Sequence, residues 1–209
     1  MTKQDLQQGS QERPVARRSS LPCLVVAVVI LLLLYGFARL RESGNSGGSH
    51  PAVGAKLQGL ELQALLHSSG QVSLQDLTGR ATLINYWGPW CGPCRREMPH
   101  LIELERELSG RDDFRLISVS CGIQQAYSDL GELRDATDQF ARDNLISFPV
   151  YYDPGGHSRG VLVASADLEG FGYPTSLLVD QDLVIRGVWV GYNLGMEDDV
   201  ERVVRRLLN

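Results

Sequence analysis

The fold class this sequence predicts is an α/β domain, with a central sheet covered by helices on both faces. A β-hairpin leads the domain and one N-terminal transmembrane helix precedes it. Three observations predict it. From residue 81 onward, apolar runs of strand character alternate with amphipathic helical runs, in the order strand, helix, strand, helix, strand, hairpin, helix. An uncharged apolar run, Leu21 to Phe37, follows a polar start that carries arginines. Cys91 and Cys94 fall at the junction of one strand with the next helix, the end of a parallel sheet at which ligands are met.

The chain has 209 residues, 43% of them hydrophobic, enough for one domain of ordinary size beyond the N-terminal extras. Residues 1–20 are polar and glutamine-rich, a disordered cytoplasmic tail. Lys3, Arg13, Arg17 and Arg18 precede the apolar run, and Arg39 and Arg41 follow it closely. The positive-inside rule keeps the N-terminus in the cytoplasm and exports the remainder. Residues 21–38 are therefore read as a transmembrane anchor, which Leu40 extends if Arg39 snorkels. A cleaved signal peptide is the alternative, since Gly36-Phe37-Ala38 offers small residues at cleavage offsets, although the apolar part is long for one. Cys23 reads as a small apolar filler within the run. Residues 39–52, with the Gly/Ser stretch Ser43 to Ser49, form a flexible linker, and the folded domain is 53–209.

Leu57, Leu60, Leu62, Leu65 and Leu66, then Ser68-Ser69-Gly70 and Val72, suit a leading β-hairpin, with a short helix as the alternative. Leu74 to Leu77 is a turn of helix that Gly79 ends. Ala81 to Trp87 is a strand, Arg95 to Leu108 an amphipathic helix, Phe114 to Ser120 a strand and Leu133 to Asn144 a helix, with the polar loop Cys121 to Glu132 between the last two. Phe148 to Tyr152 is a strand closed by the turn Asp153-Pro154-Gly155-Gly156. A short helix or irregular stretch, His157 to Leu168, precedes strands Thr175 to Val179 and Leu183 to Trp189, joined by Asp180-Gln181-Asp182 as a tight hairpin. Glu197 to Leu208 closes the chain as a helix with Val200, Val203, Val204, Leu207 and Leu208 on one face.

The chemistry concentrates in Trp87-Gly88-Pro89-Trp90-Cys91-Gly92-Pro93-Cys94, read as a redox dithiol that opens a helix. Cys91 sits before the first turn, where free backbone N–H groups and the positive end of the helix dipole favour a thiolate. Cys91 is thus the attacking sulfur, and Cys94, one turn on, resolves the mixed disulfide. Half of a zinc site has the same spacing, but Cys23, Cys121, His50, His67, His100 and His157 do not supply the other half at ligand spacing. A net charge of −5 and the lack of a basic face argue against nucleic acid as a partner, and no P-loop or dinucleotide fingerprint is present.

From about Val53 to Asn209 the sequence resembles the thioredoxin superfamily, and within it the membrane-anchored thiol:disulfide oxidoreductases of the TlpA/ResA type. The resemblance rests on W-x-x-W-C-G-P-C followed by Arg95-Arg96-Glu97-Met98-Pro99, on Phe148-Pro149-Val150 and on Gly172-Tyr173-Pro174-Thr175. It implies a thioredoxin-like fold, a central mixed sheet flanked by helices. It also implies a cis-proline at Pro174 opposite the dithiol, leaving the Tyr173 backbone free to pair with a bound polypeptide. Thioredoxins carry Asp where this chain has Asn85, which takes no proton. The TlpA/ResA group instead resembles this chain in having a glutamate, here Glu97, pointing toward the dithiol, where a raised pKa lets it accept the proton of Cys94; as a bare sequence feature, without the resemblance, Glu97 reads as a solvated helix residue. Pro99 matches a helix-kinking proline that keeps the dithiol end exposed. Trp90 and Trp87 wall the site, with plain core packing the alternative for Trp87. Cys121 lands on the active edge of the sheet, as a redox participant or a buried filler. The loop Cys121 to Glu132 and the stretch Ser165 to Phe171 look longer than the family pattern.

By this resemblance the activity is thiol:disulfide exchange, reducing disulfides of exported proteins, with the cysteines of apocytochromes c among them. No cofactor beyond the redox-active Cys91-Cys94 disulfide is implied. The partners are the disulfide clients, the membrane that holds the anchor and a membrane electron donor, with the catalytic domain periplasmic or extracytoplasmic. Two other readings stand beside it. One is a peroxiredoxin-like thiol peroxidase, whose P-x-x-x-T-x-x-C signature is absent around both cysteines. The other is a tethered peptide-binding module with an idle dithiol.

Overall fold

The computed structural model describes residues 25–33, 46–123, 127 and 129–209. The chain divides into a unit up to Glu42 and a domain from Ser43. In the first, residues 25–33 are helical and exposed. The tail 1–20 and the rest of the expected anchor lie outside the described residues, and no described helix is long and apolar enough to cross a membrane.

The domain contains strands β1 (Glu61–Leu66), β2 (Gln71–Ser73) and β3 (Ala81–Trp87), helix α1 (Gly92–Leu108), strand β4 (Phe114–Ser120) and helix α2 (Leu130–Asp143). Strand β5 (Val150–Tyr152), helix α3 (His157–Ser165), strands β6 (Thr175–Val179) and β7 (Ile185–Val190), and helix α4 (Met196–Leu207) follow. The sheet order is β2-β1-β5-β4-β3-β6-β7. β3, β4 and β5 are parallel, whereas β1, β2, β6 and β7 pair antiparallel with their neighbours. All seven residues of β3 are buried, as expected of a central strand covered on both faces. Its alternation divides the core. Leu83 and Trp87 join the cluster that includes Met98 and Leu101 of α1, Phe140 of α2 and Val200 of α4, while Ile84 and Tyr86 join Leu162 of α3 on the other face. Asn85, two residues from both Leu83 and Trp87, therefore faces α1.

The leading hairpin is present, with Leu62 opposite Val72, and Leu74–Leu77 forms a 3-10 turn followed by Gly79 at φ +84°. Three expected boundaries shift, each for a local reason. α2 begins a turn before Leu133 because the Asp129 carboxylate accepts from the N–H groups of Gly131 and Glu132, shortening the loop after Cys121. β5 omits Phe148 and Pro149 from the ladder; Phe148 is buried ahead of it, and proline has no N–H to give. The β6–β7 connection is wider than a tight hairpin. Val179 pairs with Ile185, Leu183 adopts φ +65°, and Asp180 Oδ1 accepts from the N–H of Asp182 and of Val184. Val184 instead bridges to Lys56.

The expected linker needs a larger correction, because its final part is packed structure. Gly47–Ser49 forms a 3-10 turn, and Gly47 and Ala52 are buried. Ser46 Oγ and the Gly47 N–H each donate to the Asp199 carboxylate at 2.8 Å, and Trp189 Nε1 donates to it at the same distance. A Cβ on Gly47 would lie 2.2 Å from the Trp189 ring, so this close approach requires glycine. The packed domain thus includes residues 46–52, ahead of Val53. Composition concealed this because glycine serves flexible tethers and tight packing alike.

Candidate active site

β3 delivers the chain to the C-terminal edge of the sheet, and α1 starts there. Cys91 is the N-cap of α1, in extended conformation, and its Sγ accepts from the Cys94 N–H at 3.2 Å. Gly92 and Pro93 occupy the first helical positions, where a missing N–H costs nothing. Cys91 and Cys94 form a disulfide with their Cα atoms 5.3 Å apart. Cys91 is 4% exposed and Cys94 fully covered, so the dithiol end is less open than a helix-kinking Pro99 suggests. Of the two sulfurs, Cys91 belongs to the residue nearer the surface. Pro99 does lie inside α1, on its exposed side.

Glu97, one turn beyond Cys94, is 4% exposed. Asn85 Nδ2 donates to Glu97 Oε2 at 2.9 Å, and Ser176 Oγ donates to Oε1 at 3.3 Å. Asn85 Nδ2 is also 2.9 Å from Ser176 Oγ, as the register of β3 and β6 sets these two residues side by side. Burial pushes the Glu97 carboxyl up from 4.5 to about 7; the bonds from Asn85 and Ser176 oppose that rise, and the charge of Glu197 adds to it. Glu97 is thus a buried carboxyl that gains and loses its proton near neutrality. Asn85, which takes no proton itself, positions the group that does.

The peptide bond before Pro174 is cis. Among the described residues the Tyr173 N–H and C=O enter no backbone hydrogen bond, while the Pro174 carbonyl accepts from Gly191. The Tyr173 ring meets Trp90 edge-on at 5.1 Å, and Phe171 packs against Tyr173 and Tyr86 at 5.3 Å each. Trp90 donates from Nε1 to the Cys121 carbonyl at 2.7 Å. Gly88 lies beneath this bond, where a Cβ would come within 2.7 Å of that carbonyl. Trp87 does not wall the site. It is fully buried, packed on Phe140 and bonded through Nε1 to Ser118 Oγ at 2.8 Å.

Cys121 sits at the end of β4, parallel to β3, and its N–H donates to the Trp87 carbonyl. Burial pushes its thiol up to about 12, with Arg159 opposing and Asp153 adding to the effect. At that value the thiol keeps its proton at physiological pH, which disfavours a nucleophilic part for it. Behind it runs a polar chain absent from the sequence reading. The Arg159 guanidinium donates to the Tyr173 hydroxyl and, through Nε at 2.9 Å, to the buried Asp153 carboxylate. Asp153 also accepts from the N–H groups of Ser158 and Arg159 at the start of α3. This chain fixes the Tyr173 hydroxyl, while Trp90 meets its ring. For Ser176, the available sequence signal was a polar residue, beside Thr175, in a strand that ends Leu177-Leu178-Val179; buried strands tolerate such residues only with a partner.

Residues 53–188 match the AhpC/TSA family model. The chain belongs to the AhpC/TSA family. It is 31% identical over 162 residues to the thiol-disulfide oxidoreductase ResA of Bacillus anthracis, covering 76% of this chain and 83% of that one. The thioredoxin-like protein YneN of Bacillus subtilis strain 168 is 26% identical over 166 residues, covering 79% and 89%. Among solved structures, a protein described as a thiol:disulfide interchange protein DsbE from Chlorobium tepidum superposes with a TM-score of 0.60 at 24% identity, over 75% of this chain and 98% of that one. The enzyme has a thioredoxin-like fold and is a thiol:disulfide oxidoreductase, with Cys91 and Cys94 as its redox pair.

Proposed function

We propose that the enzyme works in the reducing direction on disulfides of exported proteins, with the cysteines of apocytochromes c among its clients. The observation that carries the exchange chemistry is the buried Glu97 carboxyl, held by Asn85 and Ser176 one turn beyond Cys94. The Cys91 thiolate attacks a client disulfide, forming a Cys91–client bond and releasing one client thiolate. The Cys94 sulfur then attacks Cys91, its proton passes to the Glu97 carboxylate, the Cys91–Cys94 bond forms and the second client thiolate departs. A membrane electron donor of dithiol character returns the pair to its reduced form. The client strand lies along the free backbone of Tyr173, against Trp90. The reducing direction rests on Gly92-Pro93, the dipeptide of thioredoxins.

Residues 21–38 anchor the enzyme, with the domain outside the cytoplasm; the apolar run and the arginines before it support this. Fractionation of the full chain then leaves it in the membrane, and recovery of a soluble product starting near Arg39 replaces the anchor with a signal peptide. The direct test of the exchange is trapping. Cys94→Ser accumulates reducible mixed disulfides with clients, whereas Cys91→Ser accumulates few. Trapping by Cys91→Ser alone reverses the roles of the two sulfurs. Failure of both, with peroxide still consumed by the unaltered enzyme, replaces the reading with a peroxidase. An equilibrium potential of the Cys91–Cys94 couple near that of thioredoxins, measured against glutathione, supports reduction, and a strongly oxidising one refutes it.

A further inference from the structure

A group that accepts the Cys94 proton once per turnover must also lose it, and Asn85 and Ser176 close the sheet side of Glu97 without an ionisable group. The opposite side is different. Glu97 lines a groove between α1 and α4, together with His100, Leu101 and Leu104 of α1 and Glu197 and Val200 of α4. The groove encloses about 90 Å³, room for several waters at on the order of 10–15 Å³ each. Its outer end is formed by Glu197, whose side chain is 20% exposed, and His100, at 49%, with Glu197 Oε1 3.8 Å from His100 Nε2. Glu197 Oε2 is buried and has no hydrogen-bond partner among the described residues.

We propose that Glu197 is the outer carboxylate of a proton relay, through which Glu97 exchanges its proton with bulk water along the groove between α1 and α4. The proposal rests on Glu97 being the base for Cys94. In the forward step the Cys94 S–H bond breaks as the sulfur attacks Cys91, the proton goes to Glu97, and the electron pair leaves with the client thiolate. The Glu97 carboxyl then passes the proton through groove water to the Glu197 carboxylate, which gives it to His100 or to solvent. Glu97 is again a carboxylate, and no electrons move in the second step.

The surroundings of Glu197 favour this division. From α1 it faces His100, with Arg96 above the ring of Tyr192; from the loop after β7 it meets Tyr192; and on α4 it neighbours Asp198 and Glu201. Burial works to raise its pKa, but the N–H groups at the start of α4, the nearby His100 and a hydrogen bond from the Tyr192 hydroxyl together outweigh this and lower it. The inner carboxyl therefore holds the proton more tightly than the outer one. Their mutual repulsion discourages both from being ionised in the enclosed space. Spacing along α1 sets the path, since Cys94, Glu97, Leu101 and Leu104 recur at helical intervals on one side.

The test compares full chains carrying Glu197→Gln, Glu197→Asp or Glu97→Gln with the unaltered enzyme. Reduction of a model disulfide is followed from pH 5 to 9 in dilute buffer and with added imidazole. Glu197→Gln is expected to slow turnover roughly 10-fold in dilute buffer, less than the ~100-fold or more for a group that takes the proton directly. Imidazole restores its rate, while the unaltered enzyme responds little to buffer concentration and Glu197→Asp keeps most of its rate. Glu197→Gln turning over at the unaltered rate, or slowed without rescue by buffer, overturns the relay. If Glu97→Gln is slow in that case, only the relay falls. If Glu97→Gln itself keeps full rate, Glu97 is not the base and both readings fall together.

Discussion

Glu97→Gln removes one titration while preserving shape, and the structure supplies its thermodynamic magnitude. The rise from 4.5 in the unfolded chain to about 7 in the fold corresponds to about 3 kcal/mol at ~1.36 kcal/mol per pH unit. Its sign follows from proton counting. Between these two values the folded protein binds more protons at this site than the unfolded chain, so the contribution of Glu97 to stability is full below 4.5 and is lost as pH rises through about 7. A glutamine never ionises and accepts the Asn85 bond as well. The variant is therefore expected to match the unaltered protein within about 1 kcal/mol at pH 4.5 and to exceed it by up to about 3 kcal/mol at pH 8. Urea unfolding of the disulfide-bonded protein, followed by tryptophan fluorescence at several pH values, measures both. The same substitution should slow disulfide exchange on the order of 100-fold. Parallel stability profiles for the two proteins would show that Glu97 is not shifted, and the argument for its role as base would fail with them.

Gly47→Ala drives a methyl group into the Trp189 ring and should cost about 1–3 kcal/mol; an unchanged thermal midpoint would show that the segment is not docked. Burial works to raise the pKa of Asp199, but the bonds from Trp189, Ser46 and Gly47 prevail and hold it below its unfolded value of 3.8. Its stabilisation is present above that value and is lost as pH falls through the lower folded value, so Asp199→Asn should flatten the acid limb of the stability curve below about pH 4. Arg159→Met leaves the buried Asp153 carboxylate without its cation, at a cost of about 3–5 kcal/mol in denaturant unfolding; a loss under 1 kcal/mol would mean that the N–H groups of Ser158 and Arg159 suffice for it. Cys121→Ala should leave exchange rates within about twofold, because the buried thiol is protonated at working pH; a large loss of rate would restore Cys121 to the redox chemistry.

The sequence alone determined what depends on short separations along the chain. The strand into the dithiol, Cys91 as cap, Cys94 and Glu97 at successive turns of one helix and the final amphipathic helix all follow from local periodicity and capping chemistry. The functional reading came from the same stretch, where the residues of W-x-x-W-C-G-P-C and Glu97 lie within one strand-to-helix unit. Only the tertiary structure decided which distant residues complete the site. Ser176 reaches Glu97 because β6 pairs with β3 in a register that sets Asn85 opposite Ser176, and Arg159 supports Tyr173 because α3 returns to the same edge. It also decided that Gly47 is packed against Trp189 rather than free, that Trp87 is core and Trp90 flanks the site, and that α4 forms a groove with Glu97 at its inner end. The physical reason is that a helix or cap is specified by neighbours a few residues away, whereas strand order and register emerge from burying the whole apolar surface at once. A glycine, serine or glutamate carries no mark in the sequence of the partner this brings to it.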